Sequence, residues 1–145
     1  MRAFPVVYAT DVRRTAQFWE RLGFAQFYQL PVDDEPGYVA LRRGDAELAV
    51  VAGEWSRDRY GLAMGEGPRF EMFVYTEDVD RLLADLRAEG VAVLREPADM
   101  PWGERIASIA DPDGNPVTLA NESPAAAAKL APWLTTGRGG TCRPA

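Results

Sequence analysis

Apolar residues recur along this chain with two periods, one near 3.6 residues and one of two, and these periods follow one another in the same order twice. Between Asp11 and Phe24, Val12, Trp19 and Leu22 stand at helical spacing, and Gly23 closes the segment. Between Asp78 and Val91, Val79, Leu82, Leu83 and Leu86 mark one helical face, and Gly90 closes it. The segments match at a constant offset of 67 residues, pairing Asp11 with Asp78, Val12 with Val79, Gly23 with Gly90 and Phe24 with Val91. An offset held across polar, apolar and glycine positions indicates a duplicated unit.

Each helix is preceded by a strand-like run, at residues 4–9 and 70–75. Three more follow each helix, at 26–30, 38–43 and 47–51, then at 92–95, 105–110 and 117–120. Arg43-Gly44-Asp45 and Asp111-Pro112-Asp113-Gly114-Asn115 supply turns between the last two strands of each half. The pattern predicts an α+β fold of two tandem βαβββ modules, residues 1–52 and 69–122, within one domain spanning 1–122. Residues 53–68, with Gly53, Gly61, Gly65, Gly67 and Pro68, read as a linker. Ser123-Pro124 followed by four alanines predicts a capped short helix, and residues 123–145 end as a flexible tail in which Trp133 and Leu134 dock the helix on the body.

A chain of 145 residues with 47% apolar and 26% charged side chains suits one globular domain that buries about two thirds of its unfolded surface. Its net charge of −6 opposes phosphate backbones and anionic headgroups, which argues against nucleic acid and membrane partners. Lys129 is the only lysine among the 16 basic residues, and the arginines do not cluster. Histidine is absent, which removes the commonest metal ligand and general base together with any Ser-His or Cys-His pair. Cys142 stands alone, so no disulfide framework or CxxC site exists and a cytoplasmic location is expected. The apolar start is interrupted at Thr10-Asp11-Val12-Arg13-Arg14, too early for a secretory leader.

The duplicated βαβββ unit, the Phe18-Trp19 and Leu22-Gly23-Phe24 elements, the Pro101-Trp102-Gly103-Glu104-Arg105 run and the Asp111-Pro112-Asp113-Gly114-Asn115 signature together resemble the vicinal oxygen chelate superfamily of glyoxalases, extradiol dioxygenases and antibiotic resistance proteins. The resemblance covers residues 3–122 and is strongest to the bleomycin-resistance branch. It implies a curled mixed sheet with a concave cleft, and a homodimer in which each cleft is completed by the other subunit. Catalytic members place one metal ligand on the first and fourth strand of each module, and those positions here are Phe4, Glu47, Glu71 and Thr118. Phe4 has no donor atom and Thr118 offers a neutral hydroxyl, so no metal and no cofactor is expected.

Strand alternation puts Phe4, Val6, Tyr8, Glu71, Phe73 and Tyr75 on one face and Pro5, Val7, Met72 and Val74 on the other. The second set suits packing under helices, and the first, aromatic with a carboxylate, suits a ligand cleft. Trp102, in its Pro-Trp-Gly turn, either stacks on a flat ligand, as the resemblance implies, or packs a hairpin on the core. Tyr38 matches another aromatic of the same branch. Asp33-Asp34-Glu35 forms either a solvated loop or an acidic rim drawing in a cation. Phe18 and Trp19 read as core. Arg105 pairs with a ligand anion, Asp111 or Glu104, and Trp55 and Tyr60 form a lid or a subunit contact.

The expected ligand contacts are Trp102, Tyr38, Tyr8, Phe73, Tyr75, Glu71, Glu47 and Arg105, and the expected partner is an aromatic, cationic small molecule. The first reading is a metal-free protein that sequesters an antibiotic or toxic natural product. The second is a metal-independent enzyme with Glu71 or Glu47 as general base, which would require burial to raise that carboxyl toward neutrality.

Overall fold

The structure, a computed structural model that describes residues 2–122, runs β1 (Val6–Ala9), α1 (Val12–Arg21), β2 (Ala25–Leu30), β3 (Tyr38–Arg43), β4 (Ala46–Ala52), α2 (Glu54–Tyr60), β5 (Met72–Tyr75), α3 (Val79–Ala88), β6 (Val93–Asp99), β7 (Glu104–Ala110) and β8 (Pro116–Glu122). The repeat is visible in the capping chemistry. Asp11 and Asp78 both lie in extended backbone, and their side chains accept from the amides of Arg14 and Arg81, satisfying donors that the first turn of a helix leaves open.

The strands form two four-stranded sheets with the same order, β1-β4-β3-β2 and β5-β8-β7-β6. In the first, β1 runs parallel to β4, with Val6 opposite Ala49, and the other pairings are antiparallel. The fold is thus the α+β arrangement of two βαβββ repeats, built as two sheets that do not close.

The chain divides into two compact units that do not coincide with the repeats. Among the described residues, one holds residues 2–72 together with Ala110–Val117, and the other holds Phe73–Ile109 with residues 118–122. Hydrogen bonds account for the displaced segment: the Thr10 hydroxyl donates to Asp113 Oδ1 at 2.5 Å, and the Arg69 amide donates to Asn115 Oδ1 at 3.0 Å. In this first unit Trp19 is fully buried, edge-on to Phe18 at 5.4 Å and to Phe24 at 5.5 Å. In the second, α3 buries Val79, Leu83 and Leu86, while Leu82 is half-buried at the side of that stripe.

Two expectations need correction. Residues 53–68 are not all linker, because α2 occupies seven of them. Glu54 in its first turn and Arg57 and Arg59 in its last complement the helix dipole, and Gly61 closes it in the left-handed region at φ +70°. The run read as residues 92–95 extends to Asp99 as β6, because this edge strand shifts register between Arg95 and Ala98 and so accommodates Pro97. The short helix and tail expected over 123–145 lie outside the described residues.

Candidate functional site

Burial on the two first strands follows the expected faces only in part. Val7 and Val74 are buried and Met72 is half-buried, but Pro5, ahead of β1, is exposed; on the other face Val6, Phe73 and Tyr75 are exposed and Tyr8 is half-buried. In the first unit the open side borders a cavity of about 300 Å³ lined by residues 5–8 and 69–72, which brings Tyr8 and Glu71 together. The cavity is apolar apart from the Tyr8 hydroxyl, Arg69 and Glu71. Arg69 is already engaged, donating from its amide to Asn115 and lying 3.8 Å from Asp113.

The other first-unit candidates lie elsewhere. Glu47 accepts from Arg2 Nε at 2.5 Å, and the same guanidinium lies 4.9 Å above the Phe4 ring. Tyr38 meets Tyr28 edge-on at 6.2 Å, across the pairing of β3 with β2. In the Asp33-Asp34-Glu35 loop, Glu35 pairs with Arg13. Trp55, on α2 rather than in an irregular linker, lies against Gly37 and carries Arg59 over its ring at 4.7 Å, while Tyr60 is exposed.

The side chains at the four positions that the resemblance implied, Phe4, Glu47, Glu71 and Thr118, do not make a transition-metal donor set. Phe4 offers no lone pair, Glu47 is taken by Arg2, and the Thr118 hydroxyl is hydrogen-bonded to Ser108 at 2.9 Å. Among the described residues no group of three or more His, Cys, Asp or Glu side chains could hold such an ion.

The second unit brings together the exposed candidates Phe73, Tyr75 and Trp102, while Phe4, Phe27, Tyr28 and Tyr60 are exposed in the first. A turn brings the chain from β6 into β7, closed by the Met100 amide on the Glu104 carbonyl at 2.7 Å and the Gly103 amide on Met100 at 3.1 Å. Gly103 sits at φ +101°, a conformation that residues other than glycine rarely adopt, so the turn after Trp102 needs a glycine. Trp102 is 52% exposed, so it does not pack as a core residue. Its indole Nε1–H donates to Glu104 Oε2 at 2.8 Å, and the Tyr75 hydroxyl donates to the other oxygen, Oε1, at 2.6 Å. The carboxylate beside it raises the Tyr75 hydroxyl's pKa above the ordinary phenol value. Phe73, two residues before Tyr75, shares its face of β5 and is also exposed.

Arg105 pairs with neither Asp111 nor Glu104. Alternation along β7 turns it away from Glu104, and its guanidinium donates to both carboxylate oxygens of Asp80, at 2.5 and 2.8 Å, and to Asp99 at 3.3 Å. The pairing lowers the Asp80 carboxyl's pKa and raises that of the guanidinium. Glu104 was missed as a candidate from sequence. The available signals were its place two residues after an exposed tryptophan in a glycine turn and its alternation against Arg105.

Residues 3–119 match a family model described as the Glyoxalase/Bleomycin resistance protein/Dioxygenase superfamily. YetH of Bacillus subtilis (strain 168) is 28% identical over 113 residues, covering 75% of this chain and 88% of that relative. Among solved structures, protein SA1046 from S. aureus superposes with a TM-score of 0.70 at 18% identity, covering 83% of this chain and 92% of that chain. A bleomycin-binding protein complexed with bleomycin superposes with a TM-score of 0.57 at 24% identity, covering 85% of this chain and 99% of that chain. These two structural likenesses are likenesses of fold.

Proposed function

We propose that this chain, which belongs to the Glyoxalase/Bleomycin resistance protein/Dioxygenase superfamily, is a metal-free binding protein that sequesters an aromatic, cationic antibiotic or toxic natural product. One observation carries the reading: Trp102, Tyr75 and Phe73 stand about half exposed in one unit, with Trp102 and Tyr75 held in place by the same carboxylate. Flat rings fixed by hydrogen bonds yet open to solvent suit stacking on a planar ligand, because little side-chain entropy is lost when it binds. The bleomycin-binding neighbour supports this at the level of fold.

We assign ligand contact first to Trp102, Tyr75 and Phe73. Tyr8 and Glu71, around the first unit's cavity, come second, and Tyr38 third. Glu47 and Arg105 are held by ion pairs and would contact a ligand only by exchanging those partners. The same ion pair occupies Glu47 against a general-base role.

The chain acts in this reading as a homodimer. Phe27, Tyr28, Leu30 and Val32 in one unit and Leu94 in the other give it large exposed apolar residues that association would cover. Light scattering should show twice the 16.0 kDa chain mass at micromolar concentration, and a purely monomeric species would remove the dimer.

A thermal-shift screen of aromatic antibiotics tests the function. A true ligand at about 100 times its Kd should stabilise the fold by about 2.7 kcal/mol and be recovered unchanged. Conversion to a new product at substoichiometric protein would replace the binding reading with an enzymatic one.

A further inference from the structure

We propose that Tyr75, Trp102 and Glu104 form a subsite for an organic cation, an ammonium, guanidinium or N-alkylated ring nitrogen carried by an aromatic ligand, with Glu104 as the residue that selects for charge. The inference rests on the binding reading above and goes beyond it by naming the group that chooses the ligand's charge.

Each Glu104 oxygen receives one neutral donor, the phenol of Tyr75 at 2.6 Å and the indole of Trp102 at 2.8 Å. Neutral donors orient a carboxylate without cancelling its charge. Among the described residues no arginine pairs with Glu104, and the adjacent Arg105 is committed to Asp80 and Asp99. A full negative charge therefore sits between two rings that are 54% and 52% exposed.

The ring faces attract a cation through their quadrupoles, and the carboxylate attracts it by charge; both interactions fade for a neutral ligand of the same shape. The hydrogen bonds enrich the rings as well, since a donor bonded to an anion gains electron density. Glu104 is half-buried at the start of β7, fixed by the backbone bond from Met100, so the charge is presented from a strand and not from a mobile loop.

The test uses two fluorescent probes of near-identical shape, N-methylacridinium and acridine, at mildly alkaline pH where acridine is neutral. They are titrated against the parent, Glu104→Gln and Trp102→Phe. The parent should bind the cation at least about tenfold more tightly, which at about 1.4 kcal/mol per decade lies within the range for a ring-bound cation. Glu104→Gln should hold acridine as before and lose the cation preference to within about twofold. Trp102→Phe, which keeps a ring and the carboxylate, should retain the preference.

Equal weakening of both probes in Glu104→Gln would show that Glu104 only positions Trp102 and would overturn the charge-selecting role. Equal affinity of the parent for both probes would overturn the subsite and leave the aromatic-binding reading standing. Failure of the parent to bind either probe would count against both.

Discussion

Asn115→Ala should destabilise this fold far more than its single exposed-looking loop position suggests. Asn115 is fully buried and Asp111 is 4% exposed. Asp111 Oδ1 accepts from the amides of Asp113 at 3.0 Å and Asn115 at 2.8 Å, and its Oδ2 accepts from Asn115 Nδ2 at 2.9 Å. Asn115 Oδ1 in turn accepts the Arg69 amide at 3.0 Å. Truncation to alanine keeps the backbone bond but removes one of the three donors to a buried carboxylate, a loss of about 1.5–3 kcal/mol. It also strands the Arg69 amide, at about 1–3 kcal/mol. Because the two losses share one network they will not add fully, and about 3–4 kcal/mol is expected, or roughly 10 °C in Tm for a domain of this size.

Urea unfolding followed by tryptophan fluorescence and far-ultraviolet dichroism measures this, with an unchanged slope showing that stability and not the unfolded ensemble has moved. Arg69→Ala is the control. It leaves the amide bond intact and removes a 3.5 Å side-chain contact and a long, 3.8 Å ion pair to an Asp113 carboxylate that keeps its bonds from Thr10, at a cost of about 1–2 kcal/mol. If Asn115→Ala cost no more than Arg69→Ala, the reasoning that the signature loop is held through the Arg69 backbone would be wrong. Since Arg69 also lines the cavity with Tyr8 and Glu71, the variant should loosen that cavity too.

Trp102→Ala should weaken ligand binding by about 1–3 kcal/mol while leaving the fold nearly as stable. Trp19→Ala, in the core, should instead cost about 3–5 kcal/mol of stability; paired melts and titrations separate the two, and a Trp102 variant that melts like the Trp19 one would return that indole to the core. Gly37→Ala would place a Cβ 2.6 Å from Trp55 Cζ2, so the ring must shift, at about 1–3 kcal/mol in a urea melt; an unchanged midpoint would mean that Trp55 is not fixed there. Arg105 lowers the Asp80 carboxyl below its ordinary 3.8, so this pair's contribution is complete above pH 3.8 and is lost as the pH falls through the lowered folded value. The parent should therefore lose stability over that acid window more steeply than Arg105→Gln, and parallel curves would refute the pairing.

The amino-acid sequence by itself determined the duplication, the two capped helices and the alternation of the first strands, because each is a local matter. An aspartate cap and an apolar stripe act within a few residues, and alternation follows from the pleat. Trp102's place in a glycine turn was legible for the same reason, whereas the donor set at Phe4, Glu47, Glu71 and Thr118 could be named only through the family resemblance. Only the tertiary structure decided the rest. A seven-residue helix is too short to show its period, and α2 appears where Trp55 meets Gly37, eighteen positions earlier in the chain. The second repeat's signature loop joins the first compact unit through Thr10 and Arg69. Arg105 chose Asp80 and Asp99 over its sequence neighbours, and Glu104 bound Tyr75, 29 residues away, as well as nearby Trp102. Such partners are set by which strands and helices pack side by side, and pairwise distance across a fold leaves no periodic trace along the chain.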